Sequence, residues 1–205
     1  SRRPYITRFR YWDRKTMHRP LNLTNPDKLA LVAGEHRYTY SQVDLQVQRF
    51  ASGILANATD LKEERIAFLI PASLEYVTVM HGIWCAGGIA IPLNTASAEA
   101  ELEHCLTSTG VKRLIAVEPF FQRIKPLCDR LSIVVSSVTD YLTDNLQVMP
   151  QLSVDRRALI IFTSGTTSLP KGVVTTHQNI NAQSTTLIDA WAWSKDDAIP
   201  LCLPR

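Results

Sequence analysis

The chain has 205 residues, 45% of them hydrophobic, which is enough to bury the core of one ordinary domain or of part of a larger one. Its formal net charge of +3 is too small to favour nucleic acid or an anionic membrane as the main partner. The composition is that of a globular protein and excludes a disordered or strongly polyanion-binding one.

The basic excess is concentrated at the N-terminus, where seven Lys or Arg residues fall within the first twenty positions against Asp13 as the single acidic residue. Such a segment is typical either of a solvated basic arm or of the remnant of an Arg-rich organelle-targeting sequence. We interpret residues 1–28 as a basic N-terminal arm and residues 29–205 as the globular part.

Hydrophobic periodicity predicts a regular succession of strands and helices after this arm. Ser41 and Ser97 each precede a helical pattern and are expected to act as N-caps, and another helix is expected to begin near Ser73. The predicted elements in chain order are a hairpin at 29–40, a helix at 41–55, a strand at 65–70, a helix from 73 to the glycine pair 87–88, a strand at 89–94, a helix at 97–109, a strand at 112–117, a helix at 119–131 and a strand at 132–135.

Strands that alternate with helices of ten to fifteen residues are typical of βαβ units. The predicted fold class is therefore α/β, with layered, parallel-rich sheets and flanking helices. Residues 136–157 lack periodicity and are predicted to be a connecting loop, after which 158–162 resume the strand pattern. Open α/β sheets bind ligands beyond the carboxyl ends of their strands, which is where the segment from Thr163 onward is expected to lie.

Three other patterns are explained by ordinary packing. Cys85, Cys105, Cys128 and Cys202 have no framework spacing and are interpreted as reduced core thiols. His81 and Cys85 share a helix face, but two ligands do not make a zinc site, so no protein-bound metal is predicted. The apolar stretch 76–93 is interrupted by glycines and is interpreted as a buried helix followed by a buried strand, with no transmembrane segment.

The segment "TSGTTSLPKG", residues 163–172, has the chemistry of a phosphate-binding loop. Five hydroxyls can donate hydrogen bonds, Gly165 allows the backbone to approach a ligand closely, and Lys171 supplies a positive charge after the stiff bend at Pro170. The alternative is a solvated hydroxyl-rich turn between strands. The hydroxyl-bearing residues are Thr163, Ser164, Thr166, Thr167 and Ser168.

The segment does not match the P-loop of nucleotide triphosphatases. Counted from Gly165, that pattern requires Gly at position 170 and Ser or Thr at 172, whereas the chain has Pro170 and Gly172. Residues 173–176 also read as a strand, so that a bound phosphate would not lie on a helix N-terminus.

The segment 163–172 instead resembles the phosphate-loop signature of the adenylate-forming enzymes, which include acyl-CoA synthetases, luciferases and peptide-synthetase adenylation domains. The stretches "YTYSQVD" (38–44), "WCAGGIAIPLN" (84–94) and "THQNI" (176–180) are similar to weaker motifs of the same family, in the expected order. "WAWSKDDAI" (191–199) resembles the branch that contains malonyl-CoA synthetases and the acyl-CoA synthetase family member 3 proteins.

The resemblance implies a ligase reaction in two steps: ATP and a carboxylate form an acyl adenylate, and coenzyme A then displaces AMP. Malonate or methylmalonate is the expected acid, with a fatty or aromatic acid as the alternative, and a mitochondrial location is expected, with a cytoplasmic one as the alternative. By the same resemblance Gly172 and His177 support the phosphate loop. The residues expected to hold the ATP phosphates, with Mg²⁺ bridging, are Thr163, Ser164, Gly165, Thr166, Thr167, Ser168 and Lys171.

Two departures from the family pattern accompany this resemblance. Ser168 stands where the family usually has glycine, and a positive φ there would strain the serine. No stretch before Arg205 matches the later family motifs, so the catalytic residues are expected beyond it, residues 29–205 are interpreted as an incomplete large domain, and the small C-terminal domain is expected to be absent. The alternative hypothesis is therefore an inactive truncated relative that at most binds nucleotide or a partner.

Overall fold

The computed structural model describes residues 5–7, 25–163, 169–194 and 197–200. These residues form two sheets and five α-helices. The strands are β1 (Tyr5–Thr7), β2 (Leu29–Ala33), β3 (His36–Thr39), β4 (Arg65–Leu69), β5 (Ile89–Pro92), β6 (Arg113–Ala116), β7 (Val134–Ser137), β8 (Arg157–Thr163), β9 (Lys171–Thr176) and β10 (Ala198–Pro200). The helices are α1 (Tyr40–Leu55), α2 (Leu74–Cys85), α3 (Glu99–Thr109), α4 (Phe120–Arg130) and α5 (His177–Ala190), with a 3₁₀ turn at Thr139–Tyr141.

The larger sheet has six strands in the order β7-β6-β4-β5-β8-β9. Its first five strands are parallel, and β9 pairs with β8 in the antiparallel direction. The smaller sheet is antiparallel, with the order β10-β1-β2-β3. The predicted α/β class with a parallel-rich sheet and flanking helices is confirmed.

Helices cover both faces of the larger sheet because successive strand side chains point to opposite faces. In β4, Ala67 and Leu69 pack against α3 and α4, whereas Ile66 and Phe68 pack against α1 and α2. All four of these β4 side chains are completely buried. Beta4 is therefore the centre of two hydrophobic cores, one on each side of the sheet.

Helix α2 begins beside Ser73, as predicted, but neither of the two predicted N-caps is the capping residue of its helix. Ser73 caps α2, its side chain accepting from the backbone N–H of Tyr76 at 3.3 Å. Ser41 was wrong as a cap for α1, because the extended residue is Thr39, which forms a capping box with Gln42. Helix α1 therefore begins one residue before Ser41.

Ser97 was also wrong as a cap, because α3 begins at Glu99 after Ala98, which makes no side-chain capping bond. Asn94 organises the turn before it: its carbonyl oxygen accepts from the N–H of Ser97 and its side chain accepts from Ala96. The backbone of Ser97 is thus part of a turn that precedes the helix.

The strand predicted at 132–135 lies two residues later, at β7. Ser132 has a φ of +56°, and the N–H groups of Ser132 and Ile133 donate to the last carbonyls of α4. These two residues therefore belong to the end of the helix. The predicted loop 136–157 consequently contains the end of β7 and the 3₁₀ turn.

The apolar stretch 76–93 forms α2 and β5, as predicted, and lies against the sheet. Across the described ranges, no helix has both the length and the apolar character that crossing a bilayer requires. Within the segment interpreted as an arm, residues 5–7 pair with β2 and β10, and residues 1–4 and 8–24 lie outside the described residues.

Candidate functional site

The β8–β9 hairpin carries the hydroxyl-rich segment at its open end. Beta8 ends at Thr163 and β9 begins at Lys171, and these two residues are direct cross-strand partners. The hydroxyl of Thr163 donates to the backbone carbonyl oxygen of Lys171 at 3.4 Å. Since β8 is parallel to β5, the residues between Thr163 and Lys171 follow the carboxyl end of a parallel strand, the usual place for a ligand in an open α/β sheet.

The structure brings the two predicted phosphate ligands at the ends of this segment together. Thr163 and Lys171 are both exposed to solvent. A hydroxyl-bearing and a positively charged residue, two types that bind anions, thus occupy paired positions at the mouth of the hairpin. Between them, the predicted phosphate ligands that fall outside the described residues are Ser164, Gly165, Thr166, Thr167 and Ser168.

Gly172 lies directly opposite Phe162 in the hairpin. A Cβ atom at Gly172 would lie 3.1 Å from Cγ2 of Ile160, closer than side chains usually pack, and 3.4 Å from Cζ of Phe162, an ordinary contact distance. Glycine at this position therefore relieves a tight contact with Ile160 and lies beside the Phe162 ring. This contact gives Gly172 a physical role beside the predicted loop.

His177 lies at the other end of β9 from Lys171 and begins α5. A six-residue strand is about 20 Å long, so the His177 ring does not lie beside the mouth of the hairpin. Its backbone N–H donates to the carbonyl oxygen of Arg156 at 3.1 Å, and its ring meets that of Trp84 edge to face at a centroid distance of 6.0 Å. His177 therefore acts on the loop only by anchoring the end of the hairpin that is opposite its mouth.

Burial keeps the two histidines at this end of the hairpin unprotonated. His177 is 1% exposed, and burial, assisted by the positive charge of Arg156, lowers its pKa to about 3. His81 also packs edge to face against Trp84, and burial lowers its pKa to about 4. Both imidazoles are therefore neutral at physiological pH, which suits a packing role better than acid or base catalysis.

Trp84 connects these histidines to β8. Its indole Nε1 donates to the backbone carbonyl oxygen of Ala158 at 2.6 Å, and both residues are buried. No sequence motif marks this contact, although Trp84 lies in the apolar stretch 76–93 that was interpreted as buried. The strand that leads into the hydroxyl-rich segment is therefore held at its start by α2.

Sequence reasoning missed His104, a half-buried residue of α3. Its Nε2 lies 2.9 Å from the carbonyl oxygen of Pro170, and its ring meets that of Phe162 edge to face at 6.4 Å. No motif marks His104. The available signal was its position beside the apolar stripe of Leu102, Cys105 and Leu106, which predicts a partly buried side chain.

The described cysteines behave as packing residues. Burial raises the pKa of the Cys105 and Cys128 thiols to about 11, so both stay protonated and weakly nucleophilic. Cys85 is half-buried, none of these three described cysteines forms a disulfide, and Cys202 lies outside the described residues. In the part of the chain that the structure describes, His81 and Cys85 belong to no cluster of three or more metal-binding side chains.

A separate cavity of about 530 Å³ opens between the start of α2 and the segments that follow β6 and β7. Its polar lining includes Glu75, Glu118 and Asp140, and its apolar lining includes Leu74 and Phe121. None of the described phosphate-site residues lines it. The cavity is therefore distinct from the mouth of the β8–β9 hairpin.

The model of one protein family matches the chain: residues 22–205 match that of the AMP-binding enzymes. The chain belongs to the AMP-binding enzyme family. This assignment confirms the resemblance to adenylate-forming enzymes that the motifs carried.

Among the curated members of the AMP-binding family, the human mitochondrial malonate–CoA ligase ACSF3 is 33% identical over 189 residues. The alignment covers 87% of this chain and 33% of that protein. A malonate–CoA ligase of Arabidopsis thaliana is 30% identical, with 87% of this chain and 34% of that protein covered. The chain thus spans about a third of the length of the curated relatives it matches.

A solved structure of ATP-bound MatB from Rhodopseudomonas palustris has the same fold over most of the chain. The TM-score is 0.75 at 26% sequence identity, and the match covers 86% of this chain and 37% of that one. The similar proteins thus include members of the malonyl-CoA synthetase branch, which is the branch that the segment 191–199 indicated.

Proposed function

We propose that this chain carries the ATP phosphate-binding part of an AMP-forming carboxylic acid:CoA ligase. The observation that carries the proposal is the pairing of Thr163 with Lys171 at the mouth of the β8–β9 hairpin, beyond the carboxyl end of a parallel strand. Family membership and the ATP named for the MatB structure support it.

The proposed site binds the β- and γ-phosphates of ATP, which arrives with its Mg²⁺ as a substrate. Hydroxyl and backbone donors surround the anion, and Lys171 offsets the repulsion between a phosphate and an incoming carboxylate. Gly172 and His177 contribute by holding the hairpin in place. The residues proposed to contact the phosphates are Thr163, Ser164, Gly165, Thr166, Thr167, Ser168 and Lys171.

The proposed reaction proceeds through an acyl adenylate. A carboxylate oxygen attacks the α-phosphorus of ATP, the bond from that phosphorus to the bridging oxygen breaks, and pyrophosphate leaves with the electron pair. The thiolate of coenzyme A then attacks the acyl carbon, and AMP leaves. Charge stabilisation at the phosphates is what this chain's own residues supply to the first step.

The proposed acid is malonate or methylmalonate, and the within-class alternative is a fatty or aromatic acid. The names of the human and Arabidopsis relatives support malonate. The proposed location is mitochondrial, supported by the name of the human relative and by the basic residues of the first twenty positions.

The test is ATP–pyrophosphate exchange by the protein expressed from its complete reading frame, with malonate, methylmalonate, octanoate and benzoate as separate acids. Exchange that depends on malonate or methylmalonate is expected. Lys171→Ala should raise the KM for ATP about tenfold, equivalent to about 1.4 kcal/mol of lost binding. Exchange only with octanoate or benzoate would select the within-class alternative.

Lys112→Ala is the matched control, because Lys112 is exposed and immediately precedes β6, at the amino end of the parallel strands, whereas the hairpin mouth lies beyond the carboxyl end of β8. Its KM for ATP should equal that of the unsubstituted protein. Binding of MgATP without exchange for any acid would support the inactive relative instead, and equal effects of the two substitutions would remove Lys171 from the site.

A further inference from the structure

His104 contacts both ends of the segment that joins β8 to β9. The carbonyl oxygen of Pro170 can only accept, so His104 Nε2 donates the hydrogen bond of 2.9 Å. The same ring meets Phe162 edge to face, with an interplanar angle of 73°. Phe162 immediately precedes Thr163, and Pro170 immediately precedes Lys171. One side chain thus touches the entry to the segment and the exit from it.

We propose that His104 is a positioning residue for the phosphate loop. It holds the two flanks of the loop at a fixed separation and so sets where Thr163 and Lys171 stand relative to each other. Its effect on ATP rests on the function proposed above, whereas its effect on the geometry of the hairpin does not.

The hydrogen bond controls the orientation of Lys171. The peptide unit between Pro170 and Lys171 is planar, so fixing the direction of the Pro170 carbonyl also fixes the plane from which Lys171 starts. The proline ring restricts the φ of Pro170 and leaves ψ as its main backbone freedom. A bond to the carbonyl oxygen restrains that remaining rotation.

The ring contact restrains the other flank. The Phe162 ring lies beside Gly172 of β9 and meets the His104 ring of α3 edge to face. An edge-to-face pair has a preferred geometry, so that rotation of either ring weakens the contact. The position of Phe162 in turn determines where β8 ends at Thr163.

Helix α3 is a rigid support for this arrangement. Leu102, Cys105 and Leu106 are at most 5% exposed and pack in the core beneath the sheet. Glu99 at the start of the helix accepts from Arg130 of α4 at 2.7 Å. A donor on such a helix is held in place before any ligand arrives, which is the condition for effective positioning.

Two substitutions separate the contacts of His104. His104→Phe keeps a ring beside Phe162 and removes the donor, whereas His104→Gln keeps a donor for the Pro170 carbonyl and removes the ring. His36→Gln is the matched control, because His36 is exposed on β3 in the other sheet. Thermal unfolding of each variant establishes that it is folded.

The first readout is the exchange kinetics of the protein from its complete reading frame. His104→Phe should raise the KM for ATP about tenfold, equivalent to about 1.4 kcal/mol, and leave the KM for malonate within about twofold. His104→Gln should recover most of the loss. Equal rises in both KM values, or an unchanged KM for ATP, would overturn the proposal.

The second readout needs no nucleotide. Amide hydrogen exchange of peptides that cover residues 161–175 should quicken several-fold in His104→Phe and stay unchanged in His36→Gln. If the unsubstituted protein shows no ATP-dependent exchange activity, the proposed function fails and this readout alone decides the role of His104. Unchanged protection in His104→Phe would overturn it.

If His104→Phe does not fold, Phe162→Leu tests the same arrangement from the other flank. It should raise the KM for ATP and quicken amide exchange at residues 169–175, since His104 then loses its ring partner. The double variant Phe162→Leu/His104→Gln should raise the KM for ATP by less than the product of the fold-changes of the two single variants. Independent, multiplicative effects would show that the two residues do not act together.

Discussion

Arg156 donates two hydrogen bonds to the carboxylate of Asp60, at 2.6 and 3.0 Å, and a third to the carbonyl oxygen of Gly87 at 2.7 Å. A Cβ atom at Gly87 would collide with Asp60 Oδ1, and the φ of Gly87 is +85°. Glycine at this position therefore permits the ion pair to form. The pair joins the turn before β4 to the segment that leads into β8.

Asp60→Asn should destabilise the fold by about 1–3 kcal/mol at neutral pH, because it leaves the charge of a largely buried Arg156 without its partner. The hydrogen bonds from Arg156 lower the pKa of Asp60 below its usual value of 3.8. The stabilisation is therefore present above about pH 4 and is lost as the pH falls through the lowered pKa of the folded state.

Urea unfolding of Asp60→Asn across the acid range measures this effect. Asp129→Asn is the control, because the Asp129 side chain is 60% exposed in its pair with Lys125 and should contribute under about 0.5 kcal/mol. Equal decreases in the free energy of unfolding in the two variants would show that the Arg156–Asp60 pair stabilises the fold no more than the exposed Lys125–Asp129 pair does.

Trp84→Phe should lower the free energy of unfolding by about 2–4 kcal/mol, because it removes the indole donor to the buried carbonyl of Ala158 and opens space beside His81 and His177. Chemical denaturation monitored by circular dichroism measures the loss. Trp191→Phe is the control, since Trp191 is 61% exposed and its substitution should change the unfolding free energy by less than about 0.5 kcal/mol. A similar small change for Trp84→Phe would contradict the role of the indole bond.

The sequence predicted the parts of the fold that periodicity controls. Buried strands such as β4 and the alternation with helices gave the α/β class, because a strand covered on both faces must be apolar throughout. The caps of α1 and α3 were harder to predict. Several Ser, Thr and Asn side chains compete near each helix start, and the extended backbone of Thr39 and the turn formed by Asn94 decide among them.

The candidate site was predictable only where it lies in one segment of sequence. Thr163 and Lys171 were found because the loop chemistry is local, and their pairing follows from a hairpin. His104 is 66 residues from Pro170 in the chain, so only the packing of α3 beneath the sheet brings them together. His177 was expected to support the loop from the family resemblance, although β9 carries it to the other end of the hairpin.

His81 and His177 should make the fold sensitive to mild acid. Their pKa values are lowered to about 4 and about 3 by burial, against an ordinary value of 6.5. Because the folded-state pKa values lie below the unfolded ones, their stabilisation is present above about pH 6.5 and is lost as the pH falls below it.

Each buried histidine should remove about 1 kcal/mol of stability between about pH 7.5 and pH 5.5, measured by urea unfolding at both values. His177→Gln should flatten this dependence by about half, whatever its effect at neutral pH. His36→Gln is the control, because His36 is exposed, and it should leave the slope unchanged. An unaltered slope in His177→Gln would mean that His177 does not stay neutral in the fold.

Gly53 lies inside α1, where a glycine-to-alanine substitution would usually stabilise a helix by about 1 kcal/mol. Here the added Cβ atom would collide with the backbone carbonyl of Tyr141 in the 3₁₀ turn. Backbone atoms cannot turn aside as a flexible side chain can, so α1 and the turn must separate. Gly53→Ala should therefore destabilise the fold by about 1–3 kcal/mol, the opposite sign to the helix propensity.

Thermal and urea unfolding of Gly53→Ala measure that sign directly. Leu45→Ala is the control in the same helix, because Leu45 is 49% exposed and its substitution should change stability by less than about 0.5 kcal/mol. A loss confined to Gly53→Ala would show that close approach of the turn to α1 selects glycine at this position. A gain in stability would mean that the turn at Thr139–Tyr141 moves away from α1 at little cost, and that helix propensity alone governs the site.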